Sequence, residues 1–370
     1  MPQVSSSPRV LQVVLSLNPG GTERLVIELA RRLRESIPMA VCCLDEPGAW
    51  AAQLMDSGVT VHALERRHGF DARVGRDVGR IAQAHRATVM HCHHYSPFVY
   101  GSIARLWGAR CAVVFTEHGR LSDARPSLKR RAANVVFSRL PDRVFAVSQE
   151  LRRHLVAEGF PAHTVDVIYN GIDPAPDVDL AAAARIRQQF NISPDTMVIG
   201  SVGRLDPVKD LVSLIAAFAT IRRDHPAELV IVGDGSERVR LEAAAVERGV
   251  RPFVHFAGYR SDAREWLAGC DVYVNSSISE GVSLTILEAM AASLPVIATN
   301  IGGTPEILDS TCGILVPPRD PLAIAAALAR LACDSRLRTE LGRAARKRVE
   351  ERFTLERMIH QYSGVYRAVA

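Results

Sequence analysis

Short apolar runs alternate with amphipathic helical patterns along almost the whole chain. The spacing predicts strands at Val10–Leu17, Met39–Leu44, Val59–Leu64, Thr88–Cys92, Cys111–Thr116, Arg143–Val147 and Val165–Tyr169. Helical patterns lie between them, at Glu23–Leu33, Trp50–Asp56, Arg73–His85, Pro97–Leu106 and Gln149–Ala157. Apolar strands that each lead into a helix are what a doubly wound parallel sheet requires. Residues 171–195, with Pro174, Pro176 and a run of alanines, break the series and read as a linker with a short helix. A second series follows, with strands at Met197–Val202, Leu229–Val232, Val254–Ala257, Val272–Ser276, Val296–Ala298 and Gly313–Val316. It closes with a helix at Leu322–Ala332 and a basic one through Arg348. The expected organisation is an α/β domain over 1–170, a second over 196–352, and an amphipathic helix over 353–370 crossing back to the first. Two such halves predict a ligand cleft between them.

The length of 370 residues supports two full cores, and a 48% hydrophobic, 23% charged composition is that of a soluble globular protein. No apolar run approaches the ~18–20 residues of a membrane helix, and the N-terminal MPQVSSSPR leads into no signal-peptide core, so a cytoplasmic protein is expected. The seven cysteines form no CxxC pair and are odd in number, which suits reduced thiols. The formal charge of +5 is uneven: residues 1–170 carry 22 Lys and Arg against 15 Asp and Glu, the remainder 23 against 25. The first half therefore suits an anionic partner such as a lipid phosphate, a membrane surface or a nucleic acid, unless the bias is compositional only.

Five stretches could carry chemistry. Leu17-Asn18-Pro19-Gly20-Gly21-Thr22-Glu23 joins the first strand to the first helix; it is a tight turn or an anion site, and it is not the GxGxxG dinucleotide pattern. His91-Cys92-His93-His94 places His91 and His93 on one side of a strand, for metal ligation or for facing a cleft, and His118 ends the next strand. Arg204 and Lys209 are five residues apart across a Pro-containing turn, where both can meet one diphosphate or stay solvated. Glu280 sits on a loop and Glu288 on the helix behind it, so they serve as an acid/base pair, as metal ligands, as hydroxyl binders, or as a solvent-facing acid and a helix-capping one. The helix start at Gly281–Thr285, between them, suits phosphate. Lys129-Arg130-Arg131, within the basic stretch 120–143, is a membrane contact or a solvated helix.

Together these residues resemble a family 4 glycosyltransferase of the GT-B fold, and the similarity runs along nearly the whole chain. It is carried by Gly20-Gly21-Thr22-Glu23, Thr116-Glu117-His118-Gly119, Ala146-Val147-Ser148, Tyr169-Asn170-Gly171-Ile172-Asp173, Gly203-Arg204-Leu205 with Lys209, Val232-Gly233-Asp234-Gly235, and Glu280-Gly281 with Glu288-Ala289-Met290, which match E-x7-E. The resemblance implies two Rossmann-like domains, the first binding the acceptor and the second a nucleotide-sugar donor, UDP- or GDP-linked. It implies sugar transfer with retention by same-face attack, the leaving phosphate taking the acceptor's proton. The acceptor would be a glycan or lipid-linked sugar of cell-surface polysaccharide or glycolipid synthesis.

Position by position, Arg204 and Lys209 would hold the diphosphate, Glu288 the ribose and Glu280 the sugar hydroxyls. Amides of Gly281, Val282, Ser283 and Leu284 and that of Gly21 would touch phosphates and sugar, His118 would meet the transferred sugar, and Tyr259 would lie beside the base. No metal is expected, since the DxD pair Asp177 and Asp179 falls in the linker, and no other cofactor and no nucleic-acid partner is expected either. A GT-B nucleotide-sugar epimerase and a non-catalytic nucleotide-sugar-binding protein are the alternatives. The chain departs from the family in having Val282 and Ser283 after Glu280-Gly281, Asp210 where glycine usually follows the lysine, and Ser293 where the helix after Glu288 commonly ends in glycine. Ser293 is expected at a left-handed position.

Overall fold

The computed structural model describes residues 7–67, 69–119, 128–174 and 180–370. They form two compact units, one of residues 7–119, 128–170 and 356–370, the other of 171–355.

The first unit contains β1 (Val10–Val14), α1 (Gly21–Leu33), β2 (Met39–Cys43), α2 (Ala51–Asp56), β3 (Thr60–Ala63), α3 (Ala72–Ala84), β4 (Val89–His93), α4 (Tyr95–Leu106), β5 (Ala112–Glu117), α5 (Leu128–Phe137), β6 (Arg143–Ala146), α6 (Gln149–Ala157) and β7 (Val165–Val167). The seven strands are parallel, in the order β3-β2-β1-β4-β5-β6-β7. Every residue of β1, β2 and β4 is buried, and these strands are apolar apart from Gln12 in β1 and His91 and His93 in β4. On one face of the sheet Phe98 stacks on Phe115 at 4.4 Å between ring centres, and Phe160 closes the group. The register sets Gln12 beside His91 and His93 beside Thr116.

The second unit contains α7 (Leu180–Gln189), β8 (Met197–Val202), α8 (Leu211–Ile221), β9 (Ala227–Val232), α9 (Arg238–Glu247), β10 (Val254–Gly258), α10 (Ala263–Ala268), β11 (Val272–Asn275), α11 (Leu284–Ala291), β12 (Val296–Thr299), α12 (Thr304–Ile307), β13 (Ile314–Val316), α13 (Pro321–Cys333) and α14 (Ser335–Arg352). Its six parallel strands run β10-β9-β8-β11-β12-β13. Helix α7 lies in the stretch read as linker, yet its Ile186 packs with Val198, Val230 and Trp266, so it belongs to this unit's core. Asp177 and Asp179 lie outside the described residues.

The last helix, α15 (Leu355–Val369), returns to the first unit from Glu356 onward, where Tyr362 and Tyr366 are buried. In both sheets the strand order reverses once, between β1 and β4 and between β8 and β11. The crevice beyond the carboxyl ends of such a strand pair is where ligands bind in open α/β sheets.

Candidate active site

In the second unit, β8 and β11 splay at their carboxyl ends around a small crevice. Ser201, Val202, Gly203, Arg204 and Lys209 line it from one side, and Asn275, Ser276 and Ser277 from the other. Lys209 ends a 3-10 turn, Pro207–Lys209, that the β11 loop grips twice: Ser276 Oγ donates to the Lys209 carbonyl at 2.8 Å, and the Ile278 amide to that of Val208 at 2.8 Å. The Lys209 ammonium donates to Glu280 Oε1 at 2.5 Å. Ser277 Oγ, at 2.8 Å, and Asn275 Nδ2, at 3.4 Å, donate to the same oxygen. Burial alone would raise the Glu280 pKa, but the Lys209 charge and these hydrogen bonds outweigh it and hold the carboxyl below its usual range. It is therefore a carboxylate whose other oxygen receives none of these bonds.

Glu280 is also fixed from behind. Gly302 has φ 51°, and a Cβ there would run into the Glu280 carbonyl oxygen, so only glycine lets the loop after β12 lie against this residue. Helix α11 then starts at Leu284. Its N-cap, Ser283, makes no side-chain cap, because its hydroxyl pairs with Thr285 Oγ1 at 3.1 Å. First-turn amides of a helix lack intrahelical acceptors, so this end presents donors and a partial positive charge. One turn on, Glu288 is buried, and Arg264 Nε donates to its Oε1 at 3.0 Å. Val282 and Ser283 are buried beside Glu280.

Arg204 lines the crevice with Lys209 but leans outward, pairing with Asp206 at 3.1 Å with most of its side chain exposed. Tyr259 is half exposed just beyond β10, two strands away from β8. Asp210 has φ 44° and Ser293 φ 60°, so both family glycines are replaced at left-handed positions, as expected for Ser293.

The first unit has its own polar group at the corresponding strand ends. Gly21 opens α1, and the neighbouring Thr22 Oγ1 lies 3.0 Å from His94 Nε2. His94 Nδ1 lies 2.8 Å from buried Glu117. Burial works against a charge on His94, but the Glu117 hydrogen bond and charge prevail and raise its pKa. Its backbone, φ 72° and ψ 163°, is in a region that only glycine enters freely, a strain of about 1–3 kcal/mol that these two partners resist. His118 follows β5 directly, with Nε2 2.9 Å from His93 Nδ1. Burial, with His93 and His94 alongside, pushes the His118 pKa well down, so it is neutral. Among the described residues no cluster of three or more His, Cys, Asp or Glu side chains forms a metal site. His91 and His93 are instead hydrogen-bonded inside the unit.

The fold and these clusters can be set beside known proteins. The model for "Glycosyltransferase Family 4" matches residues 19–176, and that for "Glycosyl transferases group 1" matches 183–348. A GDP-mannose-dependent alpha-mannosyltransferase of Mycobacterium tuberculosis is 30% identical over 84% of this chain and 84% of its own. The chain belongs to the family 4 glycosyltransferases. N-acetyl-alpha-D-glucosaminyl L-malate synthase of Bacillus anthracis is 27% identical over 80% of the present chain and 79% of its own. The crystal structure of Anabaena HepE in complex with UDP and glucose superposes with a TM-score of 0.86, at 25% identity, over 97% of this chain and 99% of that one. The glycosyltransferase thus has the GT-B fold.

Sequence reading missed four residues of this candidate site. Asn275 and Ser277 orient Glu280, Gly302 makes room for it, and Arg264 holds Glu288. Asn275 and Ser277 flank the predicted strand end, a signal that was present. Arg264 carries none, since 24 residues separate it from its partner.

Proposed function

We propose that this glycosyltransferase moves a sugar from a UDP- or GDP-linked donor to a glycan or lipid-linked acceptor, with retention of anomeric configuration and without a metal ion. The observation that carries this reading is the Lys209–Glu280 pair at the β8/β11 switch point, followed by an uncapped helix start and then buried Glu288. Lys209 and Arg204 take the diphosphate, the α11 amides from Gly281 to Leu284 its oxygens and the sugar, Glu280 the sugar hydroxyls and Glu288 the ribose, with Tyr259 near the base. Breaking the glycosidic bond leaves negative charge on the diphosphate, and a fixed ammonium and helix donors stabilise that charge where it develops. In the first unit, Gly21 and His118 meet phosphate and transferred sugar, and the unit binds the acceptor. UDP and glucose bound to HepE, and the GDP-mannose of the mycobacterial relative's name, support both nucleotide choices. Relatives named for O-antigen and lipopolysaccharide core biosynthesis support a surface-glycan acceptor.

A thermal-shift panel of UDP-, GDP-, ADP- and TDP-sugars, with and without EDTA, tests the donor assignment. A donor at 100 Kd adds about 2.7 kcal/mol of stability. A midpoint raised by a UDP- or GDP-sugar regardless of EDTA is expected; no shift with any of them refutes it.

We also propose peripheral contact with anionic membrane through α5. No helix among the described residues is long and apolar enough to span a membrane. The exposed face of α5 carries Leu128, Arg131, Val135 and Val136, with Lys129 beside them and Arg139 just beyond. Arg130 is turned away, over the Tyr95 ring and toward Glu158, which narrows the basic triplet to two outward charges. Residues 120–127 of the basic stretch lie outside the described residues. Basic and apolar side chains on one outward face suit an anionic lipid interface. Sedimentation with anionic and neutral vesicles tests this, and equal binding to both refutes it.

A further inference from the structure

The first unit holds a buried run of polar side chains that the donor grip does not use. Tyr366, on α15, has its hydroxyl 2.7 Å from His91 Nδ1 and 3.1 Å from Gln12 Nε2, which donates to it. Gln12 Oε1 lies 2.7 Å from His93 Nε2, and His93 Nδ1 lies 2.9 Å from His118 Nε2. At the far end His91 Nε2 meets Thr116 Oγ1 at 2.8 Å, and Thr116 meets Tyr362 at 3.2 Å. Gln12, His91, His93 and Tyr366 are each at most 1% exposed. His118 Nδ1 is buried with no hydrogen-bond partner among the described residues.

Such a chain has a direction. A neutral imidazole has one donor and one acceptor nitrogen, and burial, reinforced by neighbouring histidines, keeps His91, His93 and His118 neutral. With Gln12 Oε1 toward His93, the His93 proton must sit on Nε2, so its Nδ1 accepts. His118 must then donate from Nε2, which leaves Nδ1 a bare acceptor. In the other direction the Gln12 amide donates to Tyr366, Tyr366 to His91 Nδ1, and His91 Nε2 to Thr116. Each of these bonds then has one donor and one acceptor. Turning the Gln12 amide over reverses the histidine arm and leaves a buried, unpaired N–H at His118. Orphaned buried N–H groups are rarer than unpaired acceptors, so the first direction is the stable one.

We propose that Gln12, His93 and Tyr366 are positioning residues that hold His118 as the Nε2–H tautomer, so that its Nδ1 accepts a hydrogen bond from a hydroxyl of the sugar being transferred. This rests on the reading of His118 as a sugar contact.

Histidine labelled with 15N reports which ring nitrogen of each residue carries the proton. Protons on Nε2 of both His93 and His118 are expected in the unmodified protein at neutral pH. Gln12→Leu removes the acceptor, should mix the His118 tautomers, and should lower turnover of the stabilising nucleotide-sugar about tenfold with its KM nearly unchanged. Gln12→Glu still accepts from His93 Nε2 and should restore both the tautomer and most of the rate. A proton on His118 Nδ1 in the unmodified protein overturns the proposal, and that spectrum needs no variant to fold. An unchanged His118 tautomer in folded Gln12→Leu overturns it too. Should the tautomer follow the Gln12 variants while His118→Ala keeps full turnover, the sugar contact fails, although the hydrogen-bond chain itself stands.

Discussion

The ammonium of Lys209 donates to Glu280 at 2.5 Å across 71 residues of sequence, and both side chains are largely shielded from water. The cation is thus already in place at the crevice before any donor arrives, and the carboxylate keeps it there. Glu280 is an acceptor of hydrogen bonds, not a proton store, because its partners hold it ionised.

Lys209→Met leaves Glu280 shielded and without its counter-charge. It should cost about 3 kcal/mol of stability and reduce kcat on the order of 10²–10³-fold. Glu280→Gln, which keeps the hydrogen-bonding shape, should lose less stability than rate. Denaturant titration and steady-state kinetics on the same preparations check both, and a Lys209→Met enzyme of normal kcat would contradict the diphosphate role.

Arg264 forms an ion pair with Glu288 at 3.0 Å. With the ribose assigned to Glu288, Arg264→Ala should weaken UDP or GDP binding about tenfold by removing one of the contacts that orient the carboxylate, with a stability loss of about 1 kcal/mol since the guanidinium is partly solvated. Arg264→Lys should recover part of the affinity. Calorimetry with the nucleoside diphosphate alone decides, and unaltered affinity in Arg264→Ala argues against the ribose assignment.

Ser293, at φ 60°, pays for a left-handed conformation that glycine enters freely. Ser293→Gly should therefore raise stability by about 0.5–1 kcal/mol, after the greater freedom of glycine in the unfolded chain is counted. Gly342 must stay small, because a Cβ there would strike the Ser293 carbonyl oxygen, so Gly342→Ala should destabilise. The check is a rise in denaturation midpoint for the first and a fall for the second at constant m-value.

Acid should weaken the first unit before its carboxylates titrate. His91, His93 and His118 have folded pKa values well below that of the unfolded chain, about 6.5, so below that pH the unfolded state binds protons that the folded state refuses. Stability then falls with falling pH, by up to about 1.4 kcal/mol per unit for each group. His94 has the opposite sign: its pKa is raised, so its contribution is fully present below about 6.5 and is lost as pH rises through its folded value. Burial lowers the His85 pKa too, so four groups oppose one, and the denaturation midpoint should be lower at pH 5 than at pH 7.5. An equal or higher midpoint at pH 5 would show that these rings are not held neutral.

The alternation of apolar runs with helical periods was enough to foresee both parallel sheets, because a strand buried on both faces must be largely apolar, as β1 and β2 are, with Gln12 the one polar residue between them. Ser293 at a left-handed turn was also legible, from its place at a helix end. Local pattern could not supply the partners. Arg264 on Glu288, Gly302 under Glu280, and Tyr366 on Gln12 join residues far apart in the chain, and sequence spacing carries no record of a side chain's direction once the chain has crossed the sheet. The sequence by itself determined which groups carry charge and at which strand ends they stand. Only the tertiary structure decided which oxygen Lys209 holds and which nitrogen of His118 is left bare, because both follow from hydrogen-bond geometry between elements that meet only when folded.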